Sequence, residues 1–178
     1  YQSYSGPVNK ITRNPFHPKY FLTVGEWMAR IWSEDIKDSA VISMKNYPHY
    51  LTSAAWSPTR PAVFFTTSLN GTLDIWDLMV KHAEPTLSEK ITDCALRSLR
   101  VQEAGSRMAV GDAEGTVTML KLSDALSQLQ KDEKQVSGAL FEREMRREKV
   151  LEARARELKL KEREKNKPKV EEEEPENT

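Results

Sequence analysis

The sequence predicts a mainly-β protein made of β-propeller blades, followed by a long charged α-helix and an acidic tail. Three observations lead there. Landmarks recur every 44 residues: Trp32 ends the run MARIW, Trp76 ends TLDIW and Leu120 ends TVTML. Each is preceded, across a tight turn, by a second short apolar run: YFLTV at 20–24, VFFTT at 63–67 and RMAV at 107–110. From Ser123 onward the apolar spacing changes from two residues to about 3.6, the spacing of a helix.

A period of about 40–45 residues with several short strands per unit is that of a propeller blade. The turns between paired runs are Gly25-Glu26, Asn70-Gly71 and Glu114-Gly115. Asn-Gly between apolar runs is a strong hairpin signal, since both residues tolerate positive φ. A third run lies upstream in each unit: VNKITRNPF at 8–16, LTSAAWSP at 51–58 and ALRSLRV at 95–101. Blade one is expected to use 8–14, 20–24, 28–32 and an outer strand near Ala40–Met44. Blade two uses 51–56, 63–67, 72–76 and 86–91. Blade three uses 95–101, 107–110 and 116–120, with no fourth strand before the chain turns helical. A generic meander with a chance period is the competing reading, and the shared turn and aromatic landmarks tell against it.

Residues 1–122 are therefore read as the last three blades of a propeller, the final one lacking its outer strand. Three blades do not make a ring, since propellers have roughly four to eight, so further blades are expected upstream of Tyr1.

Residues 123–166 are read as a charged helical extension. Ser123-Asp124 is a plausible cap. A short helix is expected near 124–131, then a break favoured by Gly138, then a long helix from about 137 to 165. The pairs Glu142–Arg146, Glu152–Arg156 and Glu157–Lys161 have the i,i+4 spacing that supports a helix. Lys167-Pro168 should stop it, and the acidic tail 167–178 should be disordered. The apolar stripe is too thin for a sustained heptad repeat, so a self-pairing coiled coil is not expected. Two readings of the helix stay open: a solvated charged rod, or a helix that docks on a partner through Leu140, Phe141, Met145 and Leu151, with Leu158 further along. Phe141 favours the second, because a lone aromatic in a charged helix is usually placed against something. The basic residues are interleaved with glutamates and lack aromatics for stacking, which tells against nucleic acid.

Composition sets bounds. Residues 1–122 carry 13 Lys/Arg against 12 Asp/Glu, and residues 123–178 carry 14 against 15, so zero net charge averages two unlike regions. Cys94 is the single cysteine, so an intrachain disulfide is impossible; it reads as packing. No stretch approaches the roughly 18 apolar residues of a membrane span. His17, His49 and His82 have no neighbour at metal-ligand spacing and read as loop residues. Phosphate loops and nucleophile elbows are absent. No catalytic, cofactor-binding or metal-binding residue is therefore assigned.

The run LTSAAWSP…VFFTTSLNGTLDIWD, residues 51–77, resembles a WD repeat, including its closing Trp76-Asp77. NPFHPKYFLTVGEWMARIWSED at 14–35 and YLTSAAWSPTRPAVFFTTSLNGTLDIWDLM at 50–79 resemble dynein intermediate chains. FEREMRREKVLEARARELKLKERE at 141–164 resembles the post-propeller helix of the outer-arm axonemal type. Two departures stand out: Tyr47-Pro48-His49 replaces a Gly-His pair, and Met119-Leu120 replaces Trp-Asp. The resemblance implies a non-enzymatic, hetero-oligomeric subunit of the ciliary outer dynein arm. It would bind a dynein heavy chain and a second intermediate chain, and light chains through upstream segments, in the cytoplasm and the axoneme. Loop residues Trp27, Arg30 and Asp35 are candidate contacts. Trp27 stands where the other repeats have Gly71 and Gly115, and is read as either a packing plug or an interface anchor. The competing function readings are a WD-repeat adaptor of another ciliary or cytoplasmic complex, and an enzyme with a site in the central channel.

Overall fold

The computed structural model describes residues 4–44 and 47–165. Among these, three antiparallel sheets follow one another along the chain. The first orders β1 (Val8–Arg13), β2 (Tyr20–Gly25), β3 (Met28–Ser33) and β4 (Ile42–Met44) side by side. The second repeats this with β5 (Leu51–Trp56), β6 (Val63–Ser68), β7 (Thr72–Asp77) and β8 (Leu87–Lys90). The third holds β9 (Leu96–Val101), β10 (Arg107–Asp112) and β11 (Val117–Lys121). Then come α1 (Asp124–Ser127) and α2 (Glu133–Lys165).

Strand registers align the three sheets residue by residue. Phe21 faces Trp32, Phe64 faces Trp76 and Met108 faces Leu120 across the second and third strand of each. The turns follow local chemistry. Gly71 has φ +84°, and a Cβ there would lie within 1.9 Å of the Thr92 carbonyl oxygen, so only glycine fits. In the first sheet the same turn places Glu26 at φ 52°.

Two cores lie between the sheets. Leu22, Val24, Ile31, Leu51, Trp56, Phe64 and Trp76 pack between the first and second. Val63, Phe65, Leu73, Ile75, Leu99, Met108 and Val110 pack between the second and third. The middle sheet is covered on both faces, and all six residues of β6 are buried. A strand buried on both faces reads as a continuous apolar run rather than an alternating one. At the open end of the stack, β11 alternates exposed and half-buried residues.

The strands fall within about two residues of their expected positions. The helical region needs three corrections. The long helix begins at Glu133 rather than near 137, and the short one ends at Ser127 rather than 131. Gly138 does not break α2; it lies inside it, where an added Cβ would sit 3.2 Å from His17 Cε1. Its value there is smallness at a close approach. Ser123 caps α1 without a side-chain hydrogen bond, its carbonyl accepting from Leu126 and Ser127. The expected stop at Lys167-Pro168 and the expected disorder of 167–178 lie outside the described residues.

Candidate protein-interaction surfaces

The sequence offers α2 as a free rod or a partner-docking helix, but its first third is laid against the chain's own sheets. The contact starts at Arg60, in the loop between β5 and β6. Ser57 Oγ accepts the backbone N–H groups of Thr59 and Arg60 (3.3 and 3.1 Å), which fixes the turn and aims the guanidinium. That guanidinium is buried. It pairs with Asp77 at 3.0 Å and Glu133 at 3.0 Å, and donates to the Ala125 carbonyl at 2.9 Å. Asp77 is the acid that closes the second repeat, and Glu133 opens α2. One arginine thus joins the propeller, the α1 turn and the start of α2. Glu133 also accepts the Gln130 backbone N–H (3.0 Å), satisfying a donor just ahead of the helix.

The equivalent loop of the first sheet supplies His17. Asn14 Oδ1 accepts the Phe16 and His17 backbone N–H groups (2.9 and 3.0 Å), and His17 Nε2 shares a 3.0 Å hydrogen bond with Ser137 Oγ. Burial in this crevice holds the imidazole below its ordinary value, and Lys134 and Lys19 add to the effect. One turn along α2, Phe141 is fully buried. Its ring stacks on Tyr20 (4.8 Å between centroids) and meets the edges of His17 (5.6 Å) and Trp56 (6.3 Å). Met145 Sδ then receives the hydroxyls of Tyr20 (3.9 Å) and Ser33 (3.7 Å). Beyond Met145 the contacts are of surface character. Arg156 reaches Asp38 and Glu152 at 3.0 Å each, and its guanidinium holds the Asp38 carboxyl below its ordinary value.

This geometry separates the expected contact residues. Phe141 and Met145 are core residues of the chain, and Leu140 packs partly buried beside them. Their place as partner contacts is therefore corrected: the surface that covers them is the chain's own first and second sheet. Arg30 is likewise not a loop residue. It lies in β3, buried, with its guanidinium 4.5 Å from the Tyr4 ring centroid. Trp27 stays half-exposed (51 %) at its turn, edge-on to Tyr50 at 5.6 Å, so it is neither fully plugged nor free. Asp35 is exposed and pairs with Lys19 at 3.3 Å. Leu151 and Leu158 are exposed on the far part of α2.

The open sheet end adds a surface that sequence reasoning did not single out by residue. Val117 and Met119 are 66 % and 64 % exposed on β11, and among the described residues no strand pairs with its outer side. The roles of Arg60, Glu133 and Ser137 were also missed. The signal, a buried Arg in Thr-Arg-Pro and an acid at a helix start, becomes specific only once the fold brings them together.

With the sheets and the helix junction in view, the comparisons with known proteins are direct. The family described as "Dynein axonemal intermediate chain 3 WD40 domain" matches residues 1–122. The chain belongs to this family. Among its relatives, "Dynein axonemal intermediate chain 2" of Homo sapiens is 55 % identical over 157 residues, 88 % of this chain and 26 % of that protein. "Dynein intermediate chain 3, ciliary" of Heliocidaris crassispina is 54 % identical over the same share of this chain, again 26 % of its own length. "Dynein, 70 kDa intermediate chain, flagellar outer arm" of Chlamydomonas reinhardtii is 46 % identical over 85 % of this chain and 27 % of its own. The chain thus spans about a quarter of the length of these relatives. Their matches are longer than residues 1–122, so the shared sequence runs on beyond the sheets toward α2. Among solved structures, the WD40 domain of Toxoplasma gondii coronin superposes with a TM-score of 0.57 at 18 % identity, over 64 % of this chain and 30 % of that one, which speaks to the fold alone.

Proposed function

We propose that this chain is the closing part of the WD-repeat propeller of an outer-arm axonemal dynein intermediate chain, acting as a non-catalytic scaffold. In this reading it binds the tail of a dynein heavy chain and a second intermediate chain, in the cytoplasm and the axoneme. Light chains attach through upstream segments. One observation carries the reading: the match to axonemal intermediate chains extends from the blades toward the helix. The junction supports it physically. A helix of 33 residues spans about 50 Å, and one whose first third is pinned by buried groups can transmit position from a propeller to a neighbour. Trp27, Asp35, Leu151 and Leu158 are the partner-facing residues of this proposal. The free side of β11 takes its missing outer strand, and with it the ring closes on further blades.

The test is affinity capture of the full-length protein from axonemal extract. Recovery of a dynein heavy chain and a second intermediate chain is expected, with loss of the heavy chain when Leu151 and Leu158 are both changed to Glu. Recovery of neither protein would overturn the reading in favour of an adaptor for a different complex.

A further inference from the structure

Equivalent positions in the first and second sheets differ in how their buried polar groups are met. In the first, Trp32 Nε1 donates to Thr23 Oγ1 at 2.8 Å, and the Tyr4 hydroxyl lies 2.9 Å from the same oxygen. In the second, the register puts Thr66 and Trp76 at the matching places, with Tyr47 beside them. The Tyr47 hydroxyl lies beside Thr66, and among the described residues the Tyr47 hydroxyl, Thr66 Oγ1 and Trp76 Nε1 are all buried without a hydrogen bond of good geometry. Where the first sheet closes this network, the second has a cavity of about 370 Å³ between Tyr47-Pro48-His49, the outer face of β7 and the loop Ala83–Pro85. Asp74 lines it from β7. Its carboxyl accepts the Ser88 hydroxyl; among the described residues His49 is the basic side chain that acts on it, and no lysine or arginine lines the groove. Burial pushes this carboxyl above its ordinary value, so its charged form is poorly solvated where it stands.

We propose that this groove between the first and second blades is a docking site for an extended protein segment that presents an arginine side chain. Asp74 and Trp76 Nε1 find their complements there. A guanidinium brings donors to Asp74 and a flat face to the Tyr47–Trp76 pair, and it is desolvated more readily than an ammonium. A backbone carbonyl of the same segment accepts from Trp76 Nε1, which supplies the acceptor a buried N–H requires. Pro48 and Pro85 at the rim give stiff apolar walls that lose little freedom on binding. A water molecule alone would meet the indole and bring no permanent cation to Asp74, beside which His49 is the one basic side chain of the lining among the described residues. The site is lined by the second sheet, its turns and the connector Tyr47-Pro48-His49 that leads into it, without the third sheet or α2.

The test is calorimetric titration of the full-length protein with acetyl-Gly-Ala-Arg-Ala-Gly-amide, the same peptide carrying citrulline or lysine, and acetyl-arginine-amide. The arginine peptide should bind at least about tenfold more tightly than the citrulline peptide, the scale of one charge-assisted pair, and more tightly than the lysine peptide. Asp74→Asn, which keeps the Ser88 hydrogen bond, should abolish that advantage without changing the melting temperature. Ala83→Phe, at the mouth of the groove, should block binding and serves if the first variant folds poorly. Equal binding of arginine and citrulline peptides, no heat with any of them up to about millimolar concentration, or undiminished binding by both variants would overturn the proposal. Acetyl-arginine-amide binding as tightly as the peptide would overturn the protein segment in favour of a small guanidinium compound.

Discussion

The first and last thirds of α2 belong to one charged helix and have opposite fates in the fold. Residues 133–143 carry two basic and two acidic side chains around Val136, Leu140 and Phe141, and residues 155–165 carry five basic and three acidic around Leu158 and Leu160. Between Glu133 and Met145, however, an ion pair, a hydrogen bond to His17 and one phenylalanine are buried, whereas from Val150 onward the apolar residues stay exposed and the ion pairs lie at the surface. Charge pairs on a helix face contribute only a few tenths of a kcal/mol each. A single buried ring or a desolvated ion pair outweighs them several-fold, so the position of the helix is set by four or five side chains rather than by its charge pattern.

Matched substitutions sharpen the contrast. Phe141→Ala removes a ring packed against Tyr20, His17 and Trp56. It should weaken docking by about 4 kcal/mol, from lost burial, the cavity left behind and broken aromatic contacts. Leu158→Ala, which removes an exposed side chain, should change stability by less than about 0.5 kcal/mol. Hydrogen exchange of the amides between 133 and 145 reads both. Equal protection in the two variants would mean that α2 is held by something other than this seat.

A pair of arginines gives the next step down. Arg60→Ala leaves Asp77 and Glu133 buried with no cation between them and should cost about 3 kcal/mol. Arg156→Ala breaks two exposed pairs and should cost less than about 1 kcal/mol. Glu133→Gln tests the buried cluster from its other side, and thermal unfolding should rank it between the two. A cost for Arg156→Ala as large as for Arg60→Ala would show that exposed pairs hold the helix after all.

Why the sequence reveals one part and not the other follows from the range of the interactions. The blades are legible because their signals are local and repeated: a turn such as Asn70-Gly71, an alternation of two, and a bulky apolar residue, Trp32, Trp76 or Leu120, at the end of the third strand of each unit. Trp76 and Asp77 announce a blade without reference to anything distant. The helix could be read as a helix, and Phe141 as out of place in it. Its seat could not be read, because Tyr20, His17 and Trp56 lie 121, 124 and 85 positions earlier, and nothing in their spacing points forward. Gly138 was misleading for the same reason. Taken locally it is a helix breaker, yet the approach of His17 makes a side chain there the greater problem. The groove beside Asp74 was equally hidden, since an unmet indole N–H is a property of packing.

The smallest effect tests the junction without changing its shape. Above its ordinary value of 6.5, the His17 ring is neutral whether or not α2 is docked, so docking is at full strength. Docking holds the folded value lower, so as the pH falls below 6.5 the undocked chain takes up the proton first. Stability is lost from that point down to the lowered folded value, and the loss runs toward acid pH. Amides around Ser137 should exchange faster at about pH 5.5 than at about pH 7.5 once the intrinsic pH dependence of exchange is removed. His17→Gln, which keeps a polar group within reach of Ser137, should abolish the difference. If the step survives that substitution, the proton acts elsewhere and the seat of Phe141 is held without reference to the charge on its neighbouring imidazole.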